Sequence, residues 1–468
     1  MFRKYLGFSV VLLLKTLGLI LVPGPDWGTA SAQESVQTFT LTQSISHALN
    51  SSPEFQVAQQ DVELASEKVK EARAALLPQL TLDGNYTFNG DLPTTVLAGD
   101  FLTELSGPPS PDDSASESAN ATDADPLEIE LGAKHNFQGH AQVTYPLFTW
   151  GRLGNIYRQA VLQKQAAERA LEAVQLNIEL NVREAFHSML LTEALVEVAK
   201  QSLAQVERRY ELTQEQKTIG TTTRLEVIRA NVQVVNTRSQ LIQARNQRKL
   251  AEENLKVALG LSLDQTLSID GQLQTDLKQV NIDRALTTAL EQRPEIHHIE
   301  IQEQIGEKQI KVAKAGNKPM LSTFGNYVFS DNERQSLDTS WSVGVAIQIP
   351  IFDGFVTRSQ VNQARVSLDQ IRTSKDQLLD RIKLETKSAV FDLEEAQKLI
   401  EAQEGLVEEA GEGLRIANVQ YEEGLITGVE LTDIELSYTQ AQVNRLQAIH
   451  DYIIAVARLE RAIGTRLE

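Results

Sequence analysis

The sequence contains no cysteine in 468 residues. That excludes a disulfide scaffold, a thiolate zinc site, a cysteine nucleophile and an acylated N-terminal cysteine. Bases are scarce: 44 stand against 63 acids, for a net charge of −19. A nucleic-acid binder needs a basic face to displace counterions, so nucleic acid is not an expected partner. The seven histidines are scattered, and only His297 and His298 adjoin. They read as surface or packing residues, because no third ligand accompanies them. HExxH, GxGxxG, GxSxG and GxxxxGK followed by Ser or Thr are all missing. With no convergent acid, base and nucleophile in view, the expectation is a protein that is not an enzyme and uses no cofactor. Long apolar runs are missing too, with one exception.

That exception is N-terminal. Arg3 and Lys4 precede an apolar stretch from Phe8 to Val22, and Ala30-Ser31-Ala32 closes the segment. A basic start, an apolar middle and an A-x-A end read as a secretory signal over residues 1–32. An inner-membrane anchor is the rival reading. Lys15 and the short run disfavour it, since a spanning helix needs about 20 apolar residues. The segment holds three bases and one acid, so its removal takes the net charge from −19 to −21. No later segment is apolar enough to span a membrane as a helix. A mature chain that enters a membrane must do so as a β-barrel.

What is present is a duplication. Ser52-Pro53-Glu54 returns as Arg293-Pro294-Glu295, Ala48-Leu49 as Ala289-Leu290, Pro78 as Pro319 and Gly84-Asn85-Tyr86 as Gly325-Asn326-Tyr327, all at an offset of 241. The offset then becomes 204. Pro146-Leu147-Phe148 returns as Pro350-Ile351-Phe352, Gly220 as Gly424, Glu226 as Glu430 and Gly260 as Gly464. The first copy therefore carries 37 extra residues between Phe88 and Pro146. Asp91 to Lys134 holds ten acids, one base and the prolines 108, 109 and 111. Such a segment cannot bury a core and reads as a solvated loop between two strands.

Each copy shows two strand patterns. Trp341, Val343, Val345, Ile347 and Ile349 alternate with Ser342, Gly344, Ala346 and Gln348. Period two with one apolar face marks a strand. Similar runs cover about 80–89 and 137–148. A weaker one covers 321–330, where Phe324 and Val328 interrupt the polar face. Ten-residue runs with small polar residues on one face suit an outer-membrane barrel, while a soluble half-buried sheet is the plain alternative. Four strands cannot close a barrel, so several chains must contribute. The remainder is helical. An a/d-like ladder runs from Val361 through Leu368, Ile382, Leu393, Ile400 and Leu414 to Tyr421, uninterrupted by proline. It reads as a coiled-coil seam with one stutter at Ile382. Its counterpart from Arg152 would be roughly 100 Å long at 1.5 Å per residue.

In this order these segments resemble the TolC-like outer membrane efflux protein family. The resemblance covers about Thr38 to Gly464. It is carried by Ala48-Leu49 with Pro53-Glu54 and their repeat, Tyr145-Pro146-Leu147-Phe148 with Trp150-Gly151-Arg152, Ile349-Pro350-Ile351-Phe352-Asp353-Gly354, and Tyr421-Glu422-Glu423-Gly424. It implies an α+β membrane protein: a homotrimer whose four strands per chain close a 12-stranded β-barrel in outer-membrane lipid, continued in the periplasm by a long antiparallel α-helical barrel of four long helices per chain. The first repeat is then 33–264, with acidic loop 91–134 and helical hairpin 152–258. The second is 265–468, with strands 321–330 and 341–352 and hairpin 356–463. Function would be an exit duct for tripartite efflux or type I secretion. Its partners would be a periplasmic adaptor and an inner-membrane transporter.

The resemblance also assigns residues. The hairpin tips at Gly220, Thr221, Gly424 and Leu425 would form the gate and dock the adaptor, although a plain interhelical turn would show the same glycines. Glu430 and Asp433 share a helix face and, with Glu226, would line the constriction; in a trimer they form carboxylate rings, which favour cations. A solvated helix face is the plain alternative. The first copy has Arg229 where the second has Asp433. Tyr421 and Glu226 match positions that link neighbouring tips in the closed state. Ile426 stands where the best-known member of the family carries arginine, so the resemblance does not supply that closing link and the resting gate would be looser or differently latched. The alternative of a different class is a periplasmic coiled-coil adaptor or scaffold without a pore.

Overall fold

A computed structural model describes residues 37–97, 127–130, 132–332 and 335–467. The signal reading over 1–32 and the centre of the acidic segment lie outside the described residues. The first repeat contains β1 (Gln37–Phe39), α1 (Leu41–Ser51), α2 (Pro53–Ala74), β2 (Gln79–Phe88), β3 (Thr94–Leu97), β4 (Leu127–Glu130), β5 (His135–Phe148), α3 (Arg152–Thr218) and α4 (Arg224–Leu259). Then follow β6 (Leu267–Ile269), α5 (Ile282–Gln292), α6 (Pro294–Lys314), β7 (Met320–Asn332), β8 (Gln335–Gln348), α7 (Val356–Glu422) and α8 (Gly428–Ile463). The duplication is written in the lengths. Helices α3 and α7 have 67 residues each, and α4 and α8 have 36 each.

The four long strands pair antiparallel in the order β2-β5-β7-β8, leaving β2 and β8 as unpaired edges. Register puts Leu80 beside Val143, Tyr86 beside Phe137 and Tyr327 beside Trp341. These residues build one apolar face across all four strands, and Thr81, Gln142, Asn326 and Ser342 build a polar one. Leu80, Leu82, Trp341 and Val343 are each more than 70% exposed, as a face turned to lipid rather than to a core requires. Phe324, which interrupts the polar pattern, covers Gly344 on the next strand; a Cβ there would lie 2.7 Å from its ring. The apolar residue thus fills the gap that a glycine leaves. Strand β8 ends at Gln348 and the next residues leave the ladder, because Pro350 has no N–H to donate.

Part of the acidic segment is ordered. Thr94–Leu97 and Leu127–Glu130 pair antiparallel as β3 and β4, which corrects the reading of 91–134 as loop throughout. Both flanks are rich in β-prone Thr, Val, Ile and Leu, and most of the acids lie between them.

The helical part departs from four long helices per chain. Two are long, and the other two lines are each built from two helices stacked end to end along a long one. At the end of α4, Gly260 (φ 70°) abuts the start of the α1–α2 unit, where Ser51 Oγ donates to Leu259 O at 2.7 Å. A Cβ on Gly260 would approach Ser51 O to 3.1 Å. Gly464 (φ 78°) meets Gln292 O in the same way at the end of α8. Only glycine serves a left-handed cap with backbone this close. The packing order is therefore α4-α3-α8-α7 in the tip half and α2-α3-α6-α7 in the sheet half.

The core sits at mid-height, in two clusters of like origin. One gathers Phe186, Met189, Leu255 and Leu259 under α1, and the other gathers Ile382, Leu393, Tyr452 and Leu459 under α5. The short parallel pair β1-β6 lies beside the first. Many seam positions of α7, among them Ala364, Leu368, Ile382, Leu393, Ile400 and Leu414, are buried.

Candidate functional site: the hairpin tips

Both tips use one turn. Gly220 (φ 84°) donates to Lys217 O and Thr221 N donates to Gln216 O at 2.9 Å; Gly424 (φ 74°) donates to Tyr421 O and Leu425 N to Gln420 O at 2.8 Å. This pair of bonds closes a helix around a left-handed glycine and fixes the reversal. Each return helix then starts on a threonine. Thr223 Oγ1 accepts from Glu226 N, and Thr427 Oγ1 accepts from Glu430 N at 3.3 Å. Beyond this shared frame the tips differ. In one, Ile219 (74% exposed) precedes the glycine and Thr221, Thr222 and Thr223 follow it; in the other, Glu422 and Glu423 precede it and Leu425 (69% exposed) and Ile426 follow.

The acids occupy three different settings. Glu430 turns back, and its Oε2 accepts from Thr427 N at 2.7 Å and from Thr427 Oγ1 at 3.0 Å. The backbone bond from Thr427, then its hydroxyl, holds the carboxyl below its ordinary value. Its capping contribution is present above the ordinary carboxylate pKa and lost as pH falls through the depressed one. Glu226 instead receives Arg229 Nη1 at 2.9 Å. Asp433 is exposed and, among the described residues, has no side-chain partner.

The fold brings Glu226 and Tyr421 together although they lie on different hairpins. A Cβ on Gly428 would lie 3.2 Å from Glu226 Oε2 and 3.7 Å from the Tyr421 ring. A cavity of about 280 Å³ separates the hairpins here, bordered by Arg209, Thr213, Arg229 and Thr432 as well. Ile426 packs beside Tyr421 and Ile434 on a small apolar cluster of Leu414, Ala417 and Leu431. An apolar contact thus stands where the resemblance implied a missing arginine link.

One pair escaped the sequence reading. Arg209 Nη1 reaches Glu435 Oε2 at 2.6 Å, joining α3 to α8 just above the tips, with both residues buried. Burial raises the Glu435 pKa and Arg209 offsets only part of that. The available signal was weak: both charges fall on otherwise apolar seam positions.

The sequence matches the outer membrane efflux protein family over residues 44–261 and 285–465. The chain belongs to this family. It is 23% identical over 417 residues to the probable outer membrane lipoprotein SilC of Salmonella typhimurium, spanning 86% of this chain and 82% of SilC. It is 22% identical over 420 residues to the outer membrane protein TolC of Vibrio cholerae, spanning 88% and 87%. It superposes on the crystal structure of VceC, an outer membrane protein of Vibrio cholerae, with a TM-score of 0.72 at 19% identity, over 92% of this chain and 97% of that one. The fold is that of trimeric outer-membrane channels: four strands per chain in a shared barrel, continued by a helical barrel in the periplasm. The chain is accordingly an outer-membrane efflux channel protein, and a poreless periplasmic scaffold is set aside.

Proposed function

We propose that the trimer is the exit duct of a tripartite efflux pump or type I secretion system. It passes small toxic compounds, and alternatively polypeptides, from an inner-membrane transporter to the outside. The observation that carries this reading is the pair of tips. Two hairpins end in the same glycine turn at Gly220 and Gly424, with the aliphatic residue before the glycine in one and after it in the other, at the far end of helices roughly 100 Å long by rise per residue. A mere turn has no reason to differentiate so; a periplasmic adaptor with its own hairpin can read Thr221 on one tip and Leu425 on the other. Tyr421 and Glu226 hold the resting gate from the side, together with the Ile426 cluster and the Arg209–Glu435 pair. The energy comes from the transporter, since this sequence has no nucleotide motif.

The constriction is the ring of Asp433 carboxylates. Glu430 contributes less, because its charge is drawn onto Thr427, and Glu226 less again, because Arg229 neutralises it. Like charges in a ring favour cations. In a salt gradient the wild-type reversal potential lies on the cation side, and Asp433→Ala moves it toward zero. An unchanged potential removes the assignment.

A further inference from the structure

At the foot of α7, a groove of about 470 Å³ runs between the end of α6 and the first turns of α7. Four cations line it: Lys314, Lys318, Arg358 and Arg365, with no carboxylate among the lining residues. All four are exposed, and none makes an ion pair or side-chain hydrogen bond among the described residues. In a chain with 63 acids that is an imbalance to be explained. Elsewhere buried arginines such as Arg209 and Arg293 are paired. Mutual repulsion keeps these four apart unless an anion joins them.

We propose that this groove binds the phosphate group of an anionic phospholipid in the periplasm-facing leaflet of the outer membrane. Its height fits: Lys318 lies two residues before β7 and Arg358 two residues after α7 begins, so the groove sits where sheet becomes helix. Its border fits as well. Ile351 (95% exposed), Phe352 (75%) and Phe355 (62%) immediately precede the lining residues Thr357 and Arg358 in the chain, the two rings 5.6 Å apart. Exposed aromatics next to free cations are the chemistry of a membrane interface. Gly316 lets the end of α6 approach α7 closely at the groove, because a Cβ there would come within 3.0 Å of Thr357 Oγ1.

The groove is particular to the second repeat. The counterpart positions in the first are Arg73, Leu77, Gly154 and Val161, a single cation in place of four. With no cysteine, the chain has no thioether-linked lipid; the groove would hold lipid non-covalently. The inference rests on the outer-membrane location and not on the cargo or gate.

The test titrates purified trimer with phosphatidylglycerol or phosphatidylcholine and counts bound lipids by native mass spectrometry. Phosphatidylglycerol binds about tenfold tighter, a preference that four interfacial cations support. Arg358→Gln with Arg365→Gln abolishes the preference, as does Lys314→Gln with Lys318→Gln, while both remain trimers with wild-type conductance. Arg415→Gln, far down α7, leaves it intact. Equal affinity for the two lipids in the wild type, or a preference that survives both double variants, overturns the proposal. Saturable binding of inorganic phosphate without a lipid preference assigns the groove to a soluble anion and overturns the lipid source.

Discussion

Arg209 and Glu435 are 226 residues apart in sequence and 2.6 Å apart in the structure. Removing one partner strands a buried charge, so Arg209→Ala loosens the tip half by about 3 kcal/mol. Replacing both, Arg209→Met with Glu435→Leu, restores it to within about 1 kcal/mol, because apolar neighbours accept the change. Hydrogen exchange of the α8 amides around Glu435 measures both; equal losses in single and double variants contradict a pairing role. Higher up, His187 is half-buried, and its buried Nδ1 has no hydrogen-bond partner among the described residues. Burial, then His450 and Arg183, lowers its pKa to about 4. The unfolded chain takes its proton near 6.5 and the folded chain resists to about 4. Stability is therefore lost as pH falls through that window, by about 3 kcal/mol for this group, and no further below it. His187→Gln flattens denaturant midpoints between pH 6.5 and 4; an unaltered profile refutes the assignment. Neither site was visible in the sequence, because each pairs helices from different repeats. Glu430 was visible as an acid, but its rotation onto Thr427 depends on the cap geometry of one turn.

Among the elements, the strands and seams were readable and the joints were not. Period two located β2, β5 and β8, and spacings of three and four traced α7 from Val361 to Tyr421. The sequence reading ends the hairpins at 258 and 463, against Leu259 and Ile463 in the structure, but the seam pattern could not reveal that α2 and α6 take over their lines. Helix stacking leaves the apolar period intact on both sides of the break. The equatorial pieces β1, β6, α1 and α5 are too short for periodicity to register. Phe324 looked like noise on a polar face until Gly344 was placed opposite it. Gly344→Val drives a branched side chain into that ring. It costs about 1–3 kcal/mol of strain and lowers the fraction of trimer recovered in detergent by size-exclusion chromatography. Gly84→Val, where no atom lies within 4 Å, leaves that fraction unchanged. Equal recovery of the two variants would falsify the packing role.

The whole molecule is a slice of a ring. Its edges in the sheet are β2 and β8, and its edges in the tip half are α4 and α7. On α4, Leu225, Ile228, Val232, Val235 and Ile242 form an exposed seam, each more than half exposed. On α7, Leu384, Phe391, Leu399 and Leu406 form a second exposed seam, the first two more than half exposed. Charge complements shape. Helix α4 carries seven bases against three acids, whereas Glu385 to Glu422 of α7 carries ten acids against three bases. Head-to-tail contacts of two such edges generate a closed ring. Composition foretold this only indirectly, through helices too long and a sheet too narrow for one chain. The central claim is that the ring encloses a gated passage. The measurement that tests it most directly is single-channel conductance of the purified trimer in a planar bilayer, with a trivalent cation added on the periplasmic side. Small, uniform steps that the trivalent ion blocks, and that Asp433→Ala renders insensitive to it, are the predicted result. Well-folded trimers that never conduct, even with the tip turns loosened by Arg209→Ala, would contradict it.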